Sequence, residues 1–175
     1  MNVMQIASTL TLLTILIVAV VQDFKSRKIS NRLILTGLLL SLAFGVILGG
    51  VQRVPYILLN ISFPVIVLYI LYLIGALGAG DVKLFSIIGG FTNLKLLTVC
   101  MAASLCVGAV FGLGRMLKNR NLGFSLFKSK RYFEGLLTGS FCSYRETMAE
   151  ERNLIRFSPA ILVGLLIAVG LQFFN

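Results

Sequence analysis

The chain has 175 residues, of which 58% are hydrophobic and only 13% charged, and its mean hydropathy is +0.97. Soluble domains run to roughly 45–50% apolar with about 25% charged residues, so a chain of this size cannot hide so much apolar surface in a core of its own, and a bilayer is the solvent that fits. The net charge of +10 belongs with cytoplasmic loops of a membrane protein, where the positive-inside bias holds Lys and Arg; a nucleic-acid partner is set aside.

Other absences narrow the chemistry. There is no histidine, which removes Ser-His-Asp and Cys-His catalysis and histidine-ligated metal sites. The three cysteines, Cys100, Cys106 and Cys142, form no C-x-x-C pair and are odd in number, so neither a disulfide framework nor a metal site is supported.

A bilayer core takes about 20 mostly apolar residues per helix. The first such run is Val3–Val21; it has no basic residue ahead of it, as a cleaved signal peptide would want, and is read as a first span with its amino end outside. A polar, basic stretch follows from Gln22 to Arg32, and Leu33–Gly50 is the second run. Pro55 opens a third, to about Ile74, as proline can in a first helical turn, and Pro64 inside it is expected to kink it. A glycine-rich turn, Gly75–Gly80, leads to Asp81 and a short apolar run, Val82–Phe91. Leu96–Leu113 is the next long run, Arg115–Arg156 a basic segment, and Phe157–Phe174 the last run.

Charge decides whether the short run crosses. If it does, fourteen of the sixteen basic residues lie on one side, with Arg53 and Lys95 alone on the other; if it turns back, the nine in Arg115–Arg156 are translocated against the positive-inside bias. The expected fold is therefore an all-α polytopic membrane helix bundle of about six transmembrane helices with the N-terminus outside, one membrane-embedded domain over 1–175 with a cytoplasmic basic segment at 115–156. The crossing helix at Val82–Phe91 is short, tilted or begun within the membrane. This topology puts Asp23, after the first span, and Asp81, before the fourth, at the same cytoplasmic edge.

Asp23 and Asp81 are the only aspartates in the chain. As bland juxtamembrane charges, Asp23 would pair with Lys25 or Arg27, and Asp81 would cap the fourth helix at its positive end. As a dyad they would do chemistry. Two carboxyls facing one water cannot both ionise cheaply, so they share a proton; the ionised partner takes a proton from the attacking water and the neutral one gives a proton to the carbonyl oxygen or the leaving amine. Gly78 and Gly80 let the chain turn sharply beside Asp81 and let another backbone approach. A bare G-x-G-D is a weak pattern by itself.

Two motifs carry a resemblance. Gly78-Ala79-Gly80-Asp81-Val82-Lys83-Leu84 resembles the G-x-G-D-x-K signature of type IV prepilin peptidases. The stretch from Asp23 to Asn31, with Ile29-Ser30-Asn31 leading into the second span, resembles that family's other motif, and Arg156–Ala160 its Pro-containing entry to the last span. The match covers nearly the whole chain in order and span count. It implies an intramembrane aspartic endopeptidase with Asp23 and Asp81 catalytic, Gly78 and Gly80 shaping the active-site turn, and Lys83 and Asn31 as motif companions. Asn31 reads as a cap of the second span with Ser30 beside it, and Lys83 as a residue snorkelling to the interface. Presenilin-like enzymes share G-x-G-D, but their first aspartate follows a tyrosine inside a span, whereas Gln22 precedes Asp23 here.

The same resemblance implies a prepilin or pseudopilin substrate, with a basic leader in the cytoplasm cut at the membrane border, in a bacterial inner membrane. The chain is similar to the short, peptidase-only type of tight-adherence (Flp-like) pilus systems, and no cofactor or metal is implied. The 115–156 segment, basic residues interleaved with aromatics, suits interfacial helices on anionic lipid or substrate docking. A small transporter or assembly scaffold is the competing class, since transporters also keep intramembrane carboxylates and broken helices.

Overall fold

The computed structural model describes residues 3–26, 29–73, 76–118 and 157–174. The chain divides into two compact units, Met1–Val107 with Arg156–Asn175, and Gly108–Ile155; of the second only the end of a helix, to Lys118, is described. The described residues form six α-helices and one 3-10 turn: α1 (Val3–Ser26), α2 (Asn31–Gly49), the turn Val51–Arg53, α3 (Val54–Leu73), α4 (Ala79–Phe91), α5 (Leu94–Lys118) and α6 (Ser158–Phe174). There is no strand among them, in keeping with the rule that only helices and closed barrels satisfy their backbone in hydrocarbon.

The ends of these helices have local causes. α1 runs past its apolar stretch to Ser26 and carries Lys25 in its last turn, where a cation suits the negative end of the helix dipole. Hence Asp23 does not follow the first helix, as the hydropathy suggested, but sits in its last turn. α2 is capped by Ser30, whose Oγ accepts from the Leu33 N–H at 3.3 Å. Asn31 is the first helical residue, so the sequence reading placed the cap one residue late. Gly50 closes α2 with φ 72° and its N–H on the Val46 carbonyl at 2.8 Å, a conformation that glycine adopts without a Cβ penalty.

Four helices are long and apolar enough to cross a bilayer: Val3–Ser26, Asn31–Gly49, Val51–Leu73 and Leu94–Gly114. α6, with 17 residues, is slightly shorter. α4 has 13 residues, roughly 20 Å at 1.5 Å per residue, against a hydrocarbon core of about 30 Å. Its shortness is matched by its surroundings. From Leu84 to Gly90 every residue of α4 is buried, and Val82 as well; a helix apolar all round belongs inside a bundle. α1, α2, α3 and α6 all pack against it.

The seat of α4 is cut to backbone width. Pro64 stands inside α3 and has no N–H to give the carbonyl of Asn60, four residues before it. Gly89 packs on that same carbonyl, and a Cβ there would collide with it. At Gly90 a Cβ would collide with the Ser41 side chain of α2. Small residues let helices approach closely where lipid supplies no hydrophobic drive between them. The core that results is continuous, from Leu12, Leu16 and Ala19 of α1 through Phe85, Ile87 and Ile88 of α4 to Ile161 and Leu165 of α6.

Replacing Gly89 by alanine should lower the stability of the purified protein in detergent by about 1–3 kcal/mol, the usual cost of overpacking a core. The control Gly170→Ala, where a Cβ meets nothing within 4 Å, should leave thermal unfolding unchanged or slightly improved.

Candidate active site

Three helices deliver one polar group each to the same end of the first unit. On α1 the buried residues are Ser8, Leu12, Ile15, Leu16 and Ala19; Asp23, four residues beyond Ala19, continues that face. On α4, Asp81 lies three, four and seven residues before the buried Leu84, Phe85 and Ile88, again one face of the helix. On α6 the buried Ile161, Leu165 and Ala168 lead back to Ser158, itself only 1% exposed. Helical periodicity thus aims all three side chains at the bundle interior, and both aspartates are half-buried.

The groups meet. The Ser158 hydroxyl donates a short hydrogen bond to Asp23 Oδ2 across 135 residues of sequence. Asp81 accepts the Gly78 N–H at 3.1 Å on Oδ2, so its carboxyl folds back over the start of its own helix. A Cβ at Gly78 would stand 3.0 Å from that oxygen, and one at Gly80 would stand 3.2 Å from the Ile29 side chain. Both expected turn glycines therefore sit where a side chain would press on the site, although neither needs a positive φ.

Asp81 precedes the apolar run of α4 and lies outside the helices long enough to cross the membrane. Its carboxyl is raised from the ordinary 3.8 to about 6. Loss of water around the group is the main cause; the Gly78 N–H pulls the other way, and the negative charge of Asp23 raises it further.

The motif companions are joined to one another. Lys83 Nζ donates to Asn31 Oδ1 at 3.0 Å, tying the segment after Asp23 to the helix that carries Asp81. Lys83 is exposed, and its partner is the asparagine of the other motif. Ser30, the α2 cap, gives its N–H to Gln22 Oε1 at 3.0 Å, so the residue before Asp23 is held as well.

Ser158 is the residue that the sequence reading did not single out. Its signal was present in the Phe157-Ser158-Pro159 entry to the last helix, but a lone serine ahead of an apolar run reads as a helix start. Of the cysteines, Cys100 and Cys106 are free and stand on α5; Cys142 and most of the 115–156 segment lie outside the described residues.

The helical membrane bundle thus places Asp23 and Asp81 at one end of the first unit, near enough for the charge of one to raise the other. The sequence model described as the type IV leader peptidase family matches residues 10–113, more than half of the chain, and the chain belongs to that family. The matched stretch contains Asp23, Asn31, Gly78, Gly80, Asp81 and Lys83, while Ser158 comes from beyond it. Neither the curated proteins nor the solved structures give a match.

Because Asp23 contributes to the raised value of Asp81, Asp23→Asn should move the Asp81 titration downward. It should stay above 3.8, since loss of water is the larger cause. Infrared difference spectra of the protonated carboxyl band across pH 4 to 8 read this directly.

Proposed function

We propose that this leader peptidase is an intramembrane aspartic endopeptidase that removes the basic leader of prepilin-like substrates at the cytoplasmic border of a bacterial inner membrane. The observation that carries the reading is that Asp23 and Asp81 stand at the same end of the bundle, with Asp81 raised by loss of water and, to a lesser degree, by the charge of Asp23. Family membership supplies the substrate class. The placement of basic residues supports the cytoplasmic side. Lys25 and Arg32 flank Asp23, and Lys83 follows Asp81, at the end where the positive-inside bias puts the cytoplasm.

In this mechanism the pair enters the cycle with one proton between two carboxyls. The ionised carboxyl takes a proton from water as the water oxygen bonds to the scissile carbonyl carbon. The protonated carboxyl gives its proton to the carbonyl oxygen, forming a tetrahedral diol. Collapse of the diol breaks the C–N bond, a proton passes to the leaving nitrogen, and the pair recovers its single proton. Ser158 keeps one oxygen of Asp23 fixed, and the Gly78 N–H does the same for Asp81, so the remaining oxygens are the ones offered to water. Asn31 and Lys83 hold the two motif segments in register. The substrate's apolar helix lies in the bilayer beside the bundle, held by packing.

Cleavage of a co-expressed prepilin, at matched membrane levels, tests the assignment. Asp23→Asn and Asp81→Asn should each reduce processing by about 10²–10⁴-fold or more while both variants still insert. Ser158→Ala should retain measurable activity at a level clearly below wild type. The pH dependence has a defined sign. Since Asp81 is lifted to about 6, the singly protonated pair is lost as pH rises through that value. The apparent kcat/KM should therefore fall above pH 6, approaching about tenfold per pH unit. A rise across the same window would contradict the dyad.

A further inference from the structure

Five serines are buried among the described residues: Ser8, Ser41, Ser86, Ser104 and Ser158. Four of them give the hydroxyl hydrogen to a carbonyl of their own helix, three or four residues back: Ser8 to Gln5, Ser41 to Leu38, Ser86 to Val82 and Ser104 to Cys100. This is how a serine inside a helix commonly satisfies itself. Ser158 is the exception. It opens α6, so no helical turn stands behind it, and its hydrogen goes to a carboxyl on another helix, Asp23 Oδ2. At 1% exposure it is sheltered from water that would compete for that bond.

The hydroxyl is held in place from both sides. Pro159, the next residue, presets the backbone of the first turn of α6. Phe157, the residue before, lays its ring 6.5 Å from that of Phe85, within the range of packed aromatic pairs. Phe85 is fully buried and stands four residues after Asp81, on the same face of α4. The start of α6 is thus anchored on the helix that carries one aspartate, while its hydroxyl reaches the other. The two carboxyls therefore have unlike partners. Asp23 accepts from a buried hydroxyl of a separate helix, and that bond is strongest when the acceptor carries its charge. Asp81 accepts from the Gly78 N–H of its own turn, and loss of water outweighs that bond in raising it to about 6.

We propose that Ser158 is a positioning residue that sets the direction of proton flow: it holds Asp23 as the carboxylate that receives the proton of the attacking water, and Asp81 is the acid that protonates the scissile carbonyl. The proposal rests on the peptidase reading given above and deepens it. As the water oxygen bonds to the carbonyl carbon, one water proton passes to Asp23 and the Asp81 proton passes to the carbonyl oxygen. The diol then stands beside a neutral Asp23 and an ionised Asp81. When the C–N bond breaks, Asp23 gives its proton to the leaving nitrogen and a diol hydroxyl returns one to Asp81, so the site ends as it began. With Oδ2 engaged on both acids, Oδ1 of each is the atom left for these transfers.

Two measurements on the purified full-length protein test it. In cleavage of a prepilin, Ser158→Ala should lower kcat about tenfold, the usual effect of losing a hydrogen bond to a charged group, with KM little changed. Ser158→Thr keeps the hydroxyl and should restore most of the rate. The low-pH side of the kcat/KM profile should move to higher pH in Ser158→Ala and return in Ser158→Thr, a shift that lost packing does not produce, while the fall above pH 6 stays in place. In infrared difference spectra, the protonated carboxyl band that titrates near pH 6 should vanish in Asp81→Asn and persist, titrating lower, in Asp23→Asn. If Ser158→Ala does not fold, the band and the Ser158→Thr profile decide. A rate and profile unchanged by Ser158→Ala, or a lowered rate with an unshifted profile and no rescue by threonine, would overturn the proposal. So would a band lost in Asp23→Asn and kept in Asp81→Asn. In each of these cases the peptidase reading stands as long as both Asp→Asn variants are inactive, whereas cleavage by either of them would sink both.

Discussion

The structure depends on how closely α4 is seated against its neighbours. Pro64 frees the carbonyl of Asn60 on α3, and Gly89 lies against that carbonyl where no larger residue could. Gly90 does the same beside Ser41 of α2. With α4 so enclosed, its seven consecutive buried residues have no lipid-facing side. The first turn of this short helix carries Asp81. Its position is thus set by packing at the far end of the same helix, about two and a half turns away.

The buried faces of α1 and α6 do the rest. Each is a helical stripe of apolar residues that ends in one polar group, Asp23 after Ala19 and Ser158 before Ile161. At the bundle's end, where apolar packing gives way, these groups find each other instead of water: Ser158 donates to Asp23, Gly78 donates to Asp81, and the two acids act on one another through space. A carboxyl buried as Asp81 is, beside the charge of Asp23, is a standing cost to the fold. Such a cost is typical of a site kept for chemistry.

Much of this was legible in the residues. The only two aspartates, each in a recognisable motif and each at the border of an apolar run, stand at the same end of the first unit, and their residue spacing on α1 and α4 agrees with the bundle's inward faces. The helical membrane class followed from composition. What escaped has physical reasons. Hydropathy ends α1 at Val21 because Gln22 and Asp23 are polar, yet a helix has no reason to stop there, and it continues to Ser26. Ser30 and Asn31 are both good cap residues, and only the bond to the Leu33 N–H distinguishes them. Ser158 is a single small polar residue in apolar surroundings, and its importance lies in a partner that is 135 residues away, beyond any local pattern. The enclosure of α4 escaped as well, since it comes from the neighbours that pack around the helix and not from its own pattern.

The central claim is that packing of α1 and α4 brings positions 23 and 81 together in the membrane. Thiol cross-linking reads it most directly: cysteines at 23 and 81, in a chain whose Cys100, Cys106 and Cys142 are replaced by alanine, treated in native membranes with a short bridging reagent. The pair 23/81 should join rapidly and within one chain, while the pair 9/81, at the other end of α1, should not. Equal or faster joining of 9/81, or no joining of 23/81 under conditions where each cysteine alone reacts with a monofunctional thiol reagent, would contradict the account.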